Sequence, residues 1–401
     1  MSHQIELPKQ VPSTGSRLPS LTGLRFIAAA MVFAFHSILF SGIFSSAGAT
    51  DTLGSIVSGG GWAGVSFFFV LSGFVLTWSA RSTDTIRKFW RRRVVKIFPN
   101  HLVTAVIFFV LLIWVTGAAT TGPWWYNIFL VHAWFPDPSV LFVGNPVSWS
   151  LCCELLFYLA FPLLYLGIKR IRPERLWAWT GVIAVAICLV PTLANMLPEA
   201  SAIAGGEVAP VIDITLWQQW FIALFPPVRM LDFVFGIFLA RIVITGRRMP
   251  LSFGGAVAIA VAAYALTPLF PGPYRIAATM VIPLGLVIVA AARADVANAG
   301  GWLSSRPMVW LGNISFALYM VHWLVIDYGH RLLGQTTSWS TPVGLLVVAL
   351  LFGSAVLAAA LLYTFVELPI VRRFSSARRR PVTVPDIPVS ANPPDGDRLA
   401  A

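Results

Sequence analysis

Long apolar runs, separated by clusters of glycine, proline and arginine, occupy most of this chain. Many of the runs are about 17 to 25 residues long, the length at which a helix crosses the hydrocarbon core of a bilayer. Only 11% of the residues are charged, against about 25% in water-soluble proteins. We therefore predict an all-α, polytopic transmembrane bundle of about ten spanning helices. The predicted spans are residues 21–41, 62–80, 102–118, 149–168, 176–194, 229–243, 252–268, 274–292, 309–330 and 342–366.

The basic residues predict how such a bundle is oriented. The chain has 28 lysines and arginines and a net charge of +12, and the predicted spans place nearly all of these residues at the end that holds both termini. Because short loops rich in lysine and arginine stay in the cytoplasm, we predict a multi-pass protein of the cell membrane (inner or plasma) with both termini cytoplasmic. The charge then serves orientation and contact with anionic membrane lipid, and no nucleic acid partner is expected.

The predicted membrane domain comprises residues 21–371, between a cytoplasmic segment, 1–20, and a disordered cytoplasmic tail, 372–401. The first residues lack the features of a signal peptide. The segments 119–148 and 195–228 are rich in aromatic residues and proline, so we expect them to roof the bundle along its outer interface. The three cysteines show no paired spacing, so neither a disulfide framework nor a zinc site is predicted.

Polar side chains inside a span are costly in lipid unless they face a partner or water, so their positions are informative. In the first span, Arg25 and His36 lie on one helix face with a rise of roughly 16 Å between them. One explanation of these two residues is purely structural: Arg25 extends to the lipid headgroups, and His36 is simply buried. Because both side chains lie on the same helix face, we favour the interpretation that they belong to one functional site.

The fourth span carries Ser150, Glu154 and Tyr158 at intervals of four residues, so the three side chains share a face. Glu154 and His36 each lie about five residues from the outer end of their helices. We therefore expect them in the same membrane layer. Helix packing is the structural alternative for Glu154, although an unpaired carboxylate at that depth is costly.

The ninth span presents Ser315, Tyr319 and His322 on a single face. His322 is either part of an internal site or a polar residue that bonds a neighbouring helix. Near the end of the last span, Tyr363 and Glu367 are one turn apart, and we expect them to be structural.

A basic cluster, predicted as a loop, precedes the third span and contains Arg91, Arg92, Arg93 and Lys96. It is either an ordinary cytoplasmic anchor or a cradle for the phosphates of an anionic donor, since arginine forks and lysine bind phosphate well. The chain has no P-loop, dinucleotide fingerprint or metalloprotease motif, so no metal is expected.

Several short segments carry a further pattern: LTGLR followed by His36, GVSFFFVLSGF at 64–74, the basic segment 91–99, Trp149–Tyr158, Ile314–His322 and Tyr363–Pro369. In this order and over nearly the whole chain they resemble the membrane acyltransferase-3 family. Three positions depart from the family's usual pattern, namely Thr22, Lys96 and Cys152. The first departure is more similar to macrolide acyltransferases and some exopolysaccharide acetylases than to peptidoglycan acetylases.

The resemblance implies transfer of an acyl group, expected to be acetyl, from acyl-coenzyme A to a hydroxyl of a saccharide, glycan or macrolide acceptor. The implied catalytic residues are His36, as the base, and Glu154, as the carboxylate behind it. The implied donor-binding residues are Arg25, Arg92, Arg93 and Lys96. The residues expected to contact substrate are Ser150, Tyr158, Tyr319 and His322.

Three questions stay open at this level. A proton-coupled transporter or flippase would also place a histidine and a carboxylate inside the membrane, and a lipid-linked glycan is a further candidate acceptor. An acyl-histidine intermediate would use the same residues as base catalysis. In either enzyme mechanism we expect His36, Glu154 and His322 to line one cavity, with Arg25 below them and the basic cluster at its mouth.

Overall fold

A computed structural model describes residues 18–80, 84–117, 122–197, 214–247, 249, 251–334 and 337–375 of the protein. These residues form helices and connecting turns, with one β-bridge between Phe44 and Trp339. The predicted all-α polytopic bundle is confirmed. The predicted segment 1–20 lies outside the described residues up to position 17, and the predicted tail 372–401 does so from position 376 onward.

The bundle is built from long helices joined by short helical turns. A π-helical turn, Tyr363–Glu367, connects the last two helices. The helices are α1 Pro19–Leu39, α2 Ala47–Trp78, α3 Ile86–Thr116, α4 Trp149–Ile168, α5 Leu176–Ala194, α6 Pro226–Ile244, α7 Phe253–Leu266, α8 Val281–Val296, α9 Arg306–Leu332, α10 Thr341–Leu362 and α11 Leu368–Ser375.

Eight helical segments of the described chain are long and apolar enough to cross a membrane, against about ten spans predicted. The other two predicted spans correspond to α7 and α8, which have 14 and 16 residues. Both are shorter than the roughly 20 residues that cross hydrocarbon. Pro268, Pro271 and Pro273 lie between them, where proline cannot continue a helix, so α7 ends early.

The basic cluster lies on a helix and not in the loop predicted for it. Helix α3 begins at Ile86, well before the predicted start at residue 102, and includes Arg91 to Lys96. The Thr85 side chain caps this start by accepting a hydrogen bond from the Lys88 backbone N–H at 3.3 Å. Since arginine and lysine are good helix formers, a charged extension of the apolar span is stable, and its side chains acquire fixed directions.

Of the predicted roof, residues 119–121 and 198–213 lie outside the described residues, and much of the rest, 122–148, 195–197 and 214–228, packs into the bundle. Leu130, Ala133 and Leu141 are fully buried. The two segments touch where the Trp220 indole donates a hydrogen bond to the Ala133 carbonyl at 3.0 Å. The roof is therefore part of the core and covers the start of α4.

The loops at the two ends of the bundle define two faces. At one end, called the basic end below, Arg247 pairs with Glu174 at 2.9 Å and Asp295 accepts a hydrogen bond from the Ser20 hydroxyl at 2.6 Å. At the opposite end, the Ser45 hydroxyl donates to the carbonyl of Trp339. The termini of the described chain and the start of α3 lie at the basic end.

Helix α2 is largely buried, and it approaches its neighbours closely because of its glycines. At Gly73 a Cβ would lie 1.9 Å from the Phe233 carbonyl oxygen, and at Gly236 of α6 a Cβ would lie 1.9 Å from that of Val70. Gly64 lies against α1 in the same way, with Ala28 O at 2.8 Å. In lipid, such backbone contact between small residues is what holds helices together.

We expect Gly73→Ala to lower the stability of the bundle, because its methyl group must push α2 and α6 apart. The expected loss is about 1–3 kcal/mol, as for overpacking elsewhere. The measurement is the thermal midpoint of the detergent-solubilised protein. Gly181→Ala on α5 is the control, since nothing lies within 4 Å of its Cβ; equal midpoints for the two variants would refute this account of the α2–α6 contact.

Candidate active site

A cavity of about 90 Å³, called the inner cavity below, lies among α1, α2, α3, α4 and α9. Apolar side chains such as Phe68, Phe69 and Phe316 form much of its wall. Its polar lining residues are all predicted site residues, namely Arg25, Lys96, Ser150, Glu154, Tyr158 and Tyr319. The stripe predicted on α4 therefore does face the interior.

Hydrogen bonds order the polar side of this cavity. The Tyr158 hydroxyl donates to a Glu154 carboxylate oxygen at 2.9 Å. The Ser150 hydroxyl donates to the Tyr319 oxygen at 2.8 Å, and the Tyr319 hydroxyl donates to the Val147 carbonyl at 3.0 Å. Glu154 thus keeps one carboxylate oxygen for another partner, and it interacts through space with the cations of the site.

Arg25 enters the inner cavity from α1. It makes no hydrogen bond and no ion pair within the described part of the chain, although its charge interacts with the carboxylates of Glu367 and Glu154. Arginine stays charged in proteins. The cavity therefore contains a guanidinium group with donors available for a ligand.

Lys96 enters the same cavity from α3 and is held by the end of the chain. It forms an ion pair with the buried Glu367, whose second oxygen accepts from the Asn100 amide at 2.6 Å. The Lys96 ammonium also lies 5.6 Å from the centre of the Phe316 ring. Glu367, which we expected to be structural, thus neutralises a cavity cation and ties the end of the described chain to α3.

His36 and His322 form a pair on the neighbouring faces of α1 and α9. His36 Nδ1 lies 2.9 Å from the Val32 carbonyl and 3.2 Å from His322 Nε2. His322 Nδ1 lies 2.6 Å from the Tyr319 carbonyl. Because a carbonyl oxygen only accepts, both Nδ1 atoms carry the proton in the neutral pair, and His36 Nδ1–H is shared between Val32 and His322. His36 Nε2 is left with a free lone pair.

Aromatic side chains surround the His36 ring. The His36 ring centre lies 5.3 Å from that of Trp323 and 5.7 Å from that of Phe40. His322 is buried, whereas His36 is half-buried. His36 is therefore the more exposed member of the pair.

The expectation that both histidines and Glu154 line one cavity is wrong for the histidines, which are not among the lining residues. Nor do His36 and Glu154 hydrogen-bond: Glu154 bonds Tyr158, and His36 bonds Val32 and His322. Ser150 is level with Tyr319, so Glu154 lies about 10 Å deeper than His322 at 1.5 Å per residue. The predicted common layer of His36 and Glu154 required that α4 start at the membrane surface. In the structure α4 starts beneath the roof, so Glu154 lies deeper.

A second cavity of about 290 Å³, called the basic-end cavity below, lies where α2 ends and α3 begins. Its charged lining residues are Asp84, Arg92, Arg93 and Lys169. The four cations predicted as donor ligands are thus divided, with Arg25 and Lys96 in the inner cavity and the other two here. Arg93 stands between the cavities, because its guanidinium lies 5.7 Å from the ring of Tyr158, which lines the inner one.

Two buried polar groups near the site were missed by the sequence analysis. Arg229 and Asp232 form an ion pair of 2.7 Å, and Arg229 also donates to the Ser66 hydroxyl at 2.8 Å. In the roof, His132 contacts the Cys152 thiol at 3.4 Å, and burial lowers the pKa of His132 to about 4, so it is neutral at pH 7. The ion pair could have been predicted, because Arg229 and Asp232 are three residues apart on one helix. The His132–Cys152 contact could not, because it joins segments that are distant in the sequence.

Comparison with known proteins agrees with these features. The acyltransferase-3 family model, described as an acyltransferase domain, matches residues 18–364. The acyltransferase MdmB of Streptomyces mycarofaciens is 42% identical over 94% of this chain and 97% of its own length. No solved structure matches the chain.

Two more distant relatives are longer proteins. The putative peptidoglycan O-acetyltransferase YrhL of Bacillus subtilis is 25% identical over 90% of this chain, and the peptidoglycan O-acetyltransferase OatA of Listeria monocytogenes is 23% identical over 88%. In both cases the match covers 56% of the relative, so this chain spans about half the length of each. With the family model matching most of the chain and the helices of a membrane protein in place, the chain belongs to the acyltransferase-3 family of membrane acyltransferases.

Proposed function

We propose that this protein is an O-acyltransferase that moves an acetyl group from acetyl-coenzyme A to a hydroxyl of a saccharide or macrolide acceptor. The observation that carries the proposal is the free Nε2 of His36, held in one tautomer by Val32 and His322. The relatives named O-acetyltransferases support oxygen as the acceptor atom and acetyl as the group moved. The enzyme acts in the cell membrane with its basic end in the cytoplasm.

His36 acts as the general base. Its Nε2 takes the proton of the acceptor hydroxyl as the oxygen attacks the thioester carbonyl. The tetrahedral intermediate then collapses, the carbon–sulfur bond breaks, and the imidazolium returns the proton to the leaving thiolate. The products are an acetyl ester and free coenzyme A, so atoms and charges balance. His322 positions His36, because its Nε2 accepts from the Nδ1–H that becomes more acidic in the imidazolium.

The donor reaches this base from the basic end. Its phosphates bind in the basic-end cavity at Arg92 and Arg93, and its pantetheine arm runs along α1 past Arg25. The rise of roughly 16 Å between Arg25 and His36 is the path that this arm must cover. Ser150, Tyr158 and Tyr319 offer hydroxyl groups along it. Glu154 keeps the charges of Arg25 and Lys96 in balance when no donor is bound.

His36→Ala is expected to reduce ester formation from acetyl-coenzyme A at least about 100-fold, since a positioned base contributes that much. The product is measured by mass spectrometry with the purified protein in lipid nanodiscs. His330→Ala is the control, because this histidine bonds the Thr337 carbonyl at the far end of α9. If His36→Ala retains more than a tenth of wild-type activity, base catalysis by His36 is contradicted. If the wild-type protein consumes no acetyl-coenzyme A, a transporter is favoured over an enzyme.

Glu154→Gln is expected to lower kcat/KM for acetyl-coenzyme A by about tenfold, equivalent to about 1.4 kcal/mol. The amide still accepts the hydrogen bond of Tyr158 but no longer carries the charge that faces Arg25 and Lys96. The measurement is steady-state kinetics of Glu154→Gln and of Tyr158→Phe. The second variant removes the hydrogen bond but keeps the charge, so the comparison separates the two effects. Wild-type kinetics in Glu154→Gln would remove Glu154 from the mechanism.

Arg93→Ala is expected to raise KM for acetyl-coenzyme A about tenfold with little change in kcat, because phosphate contacts remote from the thioester act through binding. S-acetyl pantetheine, which lacks the nucleotide, should not distinguish this variant from the wild type. Arg91→Ala is the matched control, being exposed on the same turn of α3 and outside both cavities. Equal KM values for the two variants would show that Arg93 only anchors the helix.

A further inference from the structure

The basic-end cavity contains a carboxylate that the proposed donor site does not need. Asp84 lies just before α3, and its two oxygens accept from Arg92 Nη1 at 3.1 Å and Nη2 at 2.6 Å. This two-point contact is the arrangement in which arginine also binds phosphate. Asp84 therefore occupies the donors of Arg92 that a phosphate would use.

The two other cations of the cavity have no carboxylate of their own. Arg93 is placed between the rings of Phe89 and Tyr158, at 5.7 Å from each centre, and its Nε is buried without a hydrogen-bond partner. Lys169 directly follows α4, and its backbone carbonyl accepts a hydrogen bond from Arg241. Neither side chain forms an ion pair with another described residue. A buried donor without a partner points to an anion that binds here.

The side chains that line this cavity carry more positive than negative charge. Arg92, Arg93 and Lys169 supply three cations from two helices, and Asp84 supplies one carboxylate. The excess of positive charge suits a nucleotide with several phosphate charges, and only Arg92 has to change partner when such a ligand binds. The pair is about three-quarters buried on each side, with 26% and 23% of the side chains exposed, so an entering phosphate can reach it.

We propose that Asp84 is an internal competitor of the donor phosphates, and that Lys169 is a phosphate ligand beside Arg93; the proposal rests on the function proposed above. In the resting protein Asp84 holds Arg92. When acetyl-coenzyme A binds, a phosphate takes Arg92 and Asp84 is released into the mouth of the cavity. When free coenzyme A leaves after transfer, Asp84 returns to Arg92. The exchange weakens binding of donor and product alike and thereby speeds product release.

The test is direct binding of coenzyme A, which requires no catalysis. Asp84→Asn should bind coenzyme A about three- to tenfold more tightly than the wild type by isothermal titration calorimetry in nanodiscs, since the competing charge is gone. Asp84→Glu restores the carboxylate and should return the affinity toward the wild-type value. Lys169→Gln should weaken binding by a similar factor, while Arg170→Gln, the exposed neighbour outside the cavity, should not.

Two outcomes would overturn the inference. Unchanged or weaker binding by Asp84→Asn, with the thermal midpoint retained, would show that the pair only supports the start of α3. Equal affinities for Lys169→Gln and Arg170→Gln would remove Lys169 from the site. Failure of the proposed function is a separate result, namely coenzyme A binding without ester formation by the wild type, and S-acetyl pantetheine should show no difference among these variants.

Discussion

The cost of placing charge in an apolar bundle governs how this protein is arranged. A charged side chain at the bilayer centre costs at least about 2.5 kcal/mol unless it is paired or hydrated. Lys96 meets this requirement through Glu367, which brings the last helix against α3. Arg229 meets it through Asp232 on its own helix. Since helices that carry charge have to face one another, the inner cavity forms where their polar stripes converge.

The sequence predicted the directions of side chains better than their depth. Helical periodicity placed Ser150, Glu154 and Tyr158 on one face, and all three line the inner cavity. Direction follows from 100° per residue, which is a local property of a helix. Depth depends on where each helix begins, and for α4 that is decided by a roof whose contacts join distant segments. A hydrogen bond between His36 and Glu154 was therefore expected where the structure has His36 paired with His322.

The sequence also did not predict that the four basic residues are divided between two cavities. Arg92 and Lys96 differ by one helical turn, so their separation looks small in the printed chain. On a helix that passes from the basic end into the bundle, one turn moves a side chain by about 5.4 Å. That displacement is enough for one residue to meet Asp84 and the other to meet Glu367. Asp84 lies only eight residues before Arg92, whereas Glu367 lies 271 residues after Lys96, so no local pattern identifies the partner of Lys96.

The backbone contact between Gly73 and Gly236 also sets the mechanics of the bundle. Carbonyl oxygens lie where any side chain would stand, so α2 and α6 have no slack between them and behave as one stiff frame. The inner cavity, at about 90 Å³, is far smaller than a molecule of the size of acyl-coenzyme A. Helix α9 is tied to this frame through α1, because a Cβ at Gly312 would lie 1.8 Å from the Thr22 carbonyl oxygen. Gly167 of α4, in contrast, has nothing within 4 Å of an added Cβ. Any widening of the cavity for a larger ligand would therefore move α3 and α4 against a frame of α1, α2, α6 and α9.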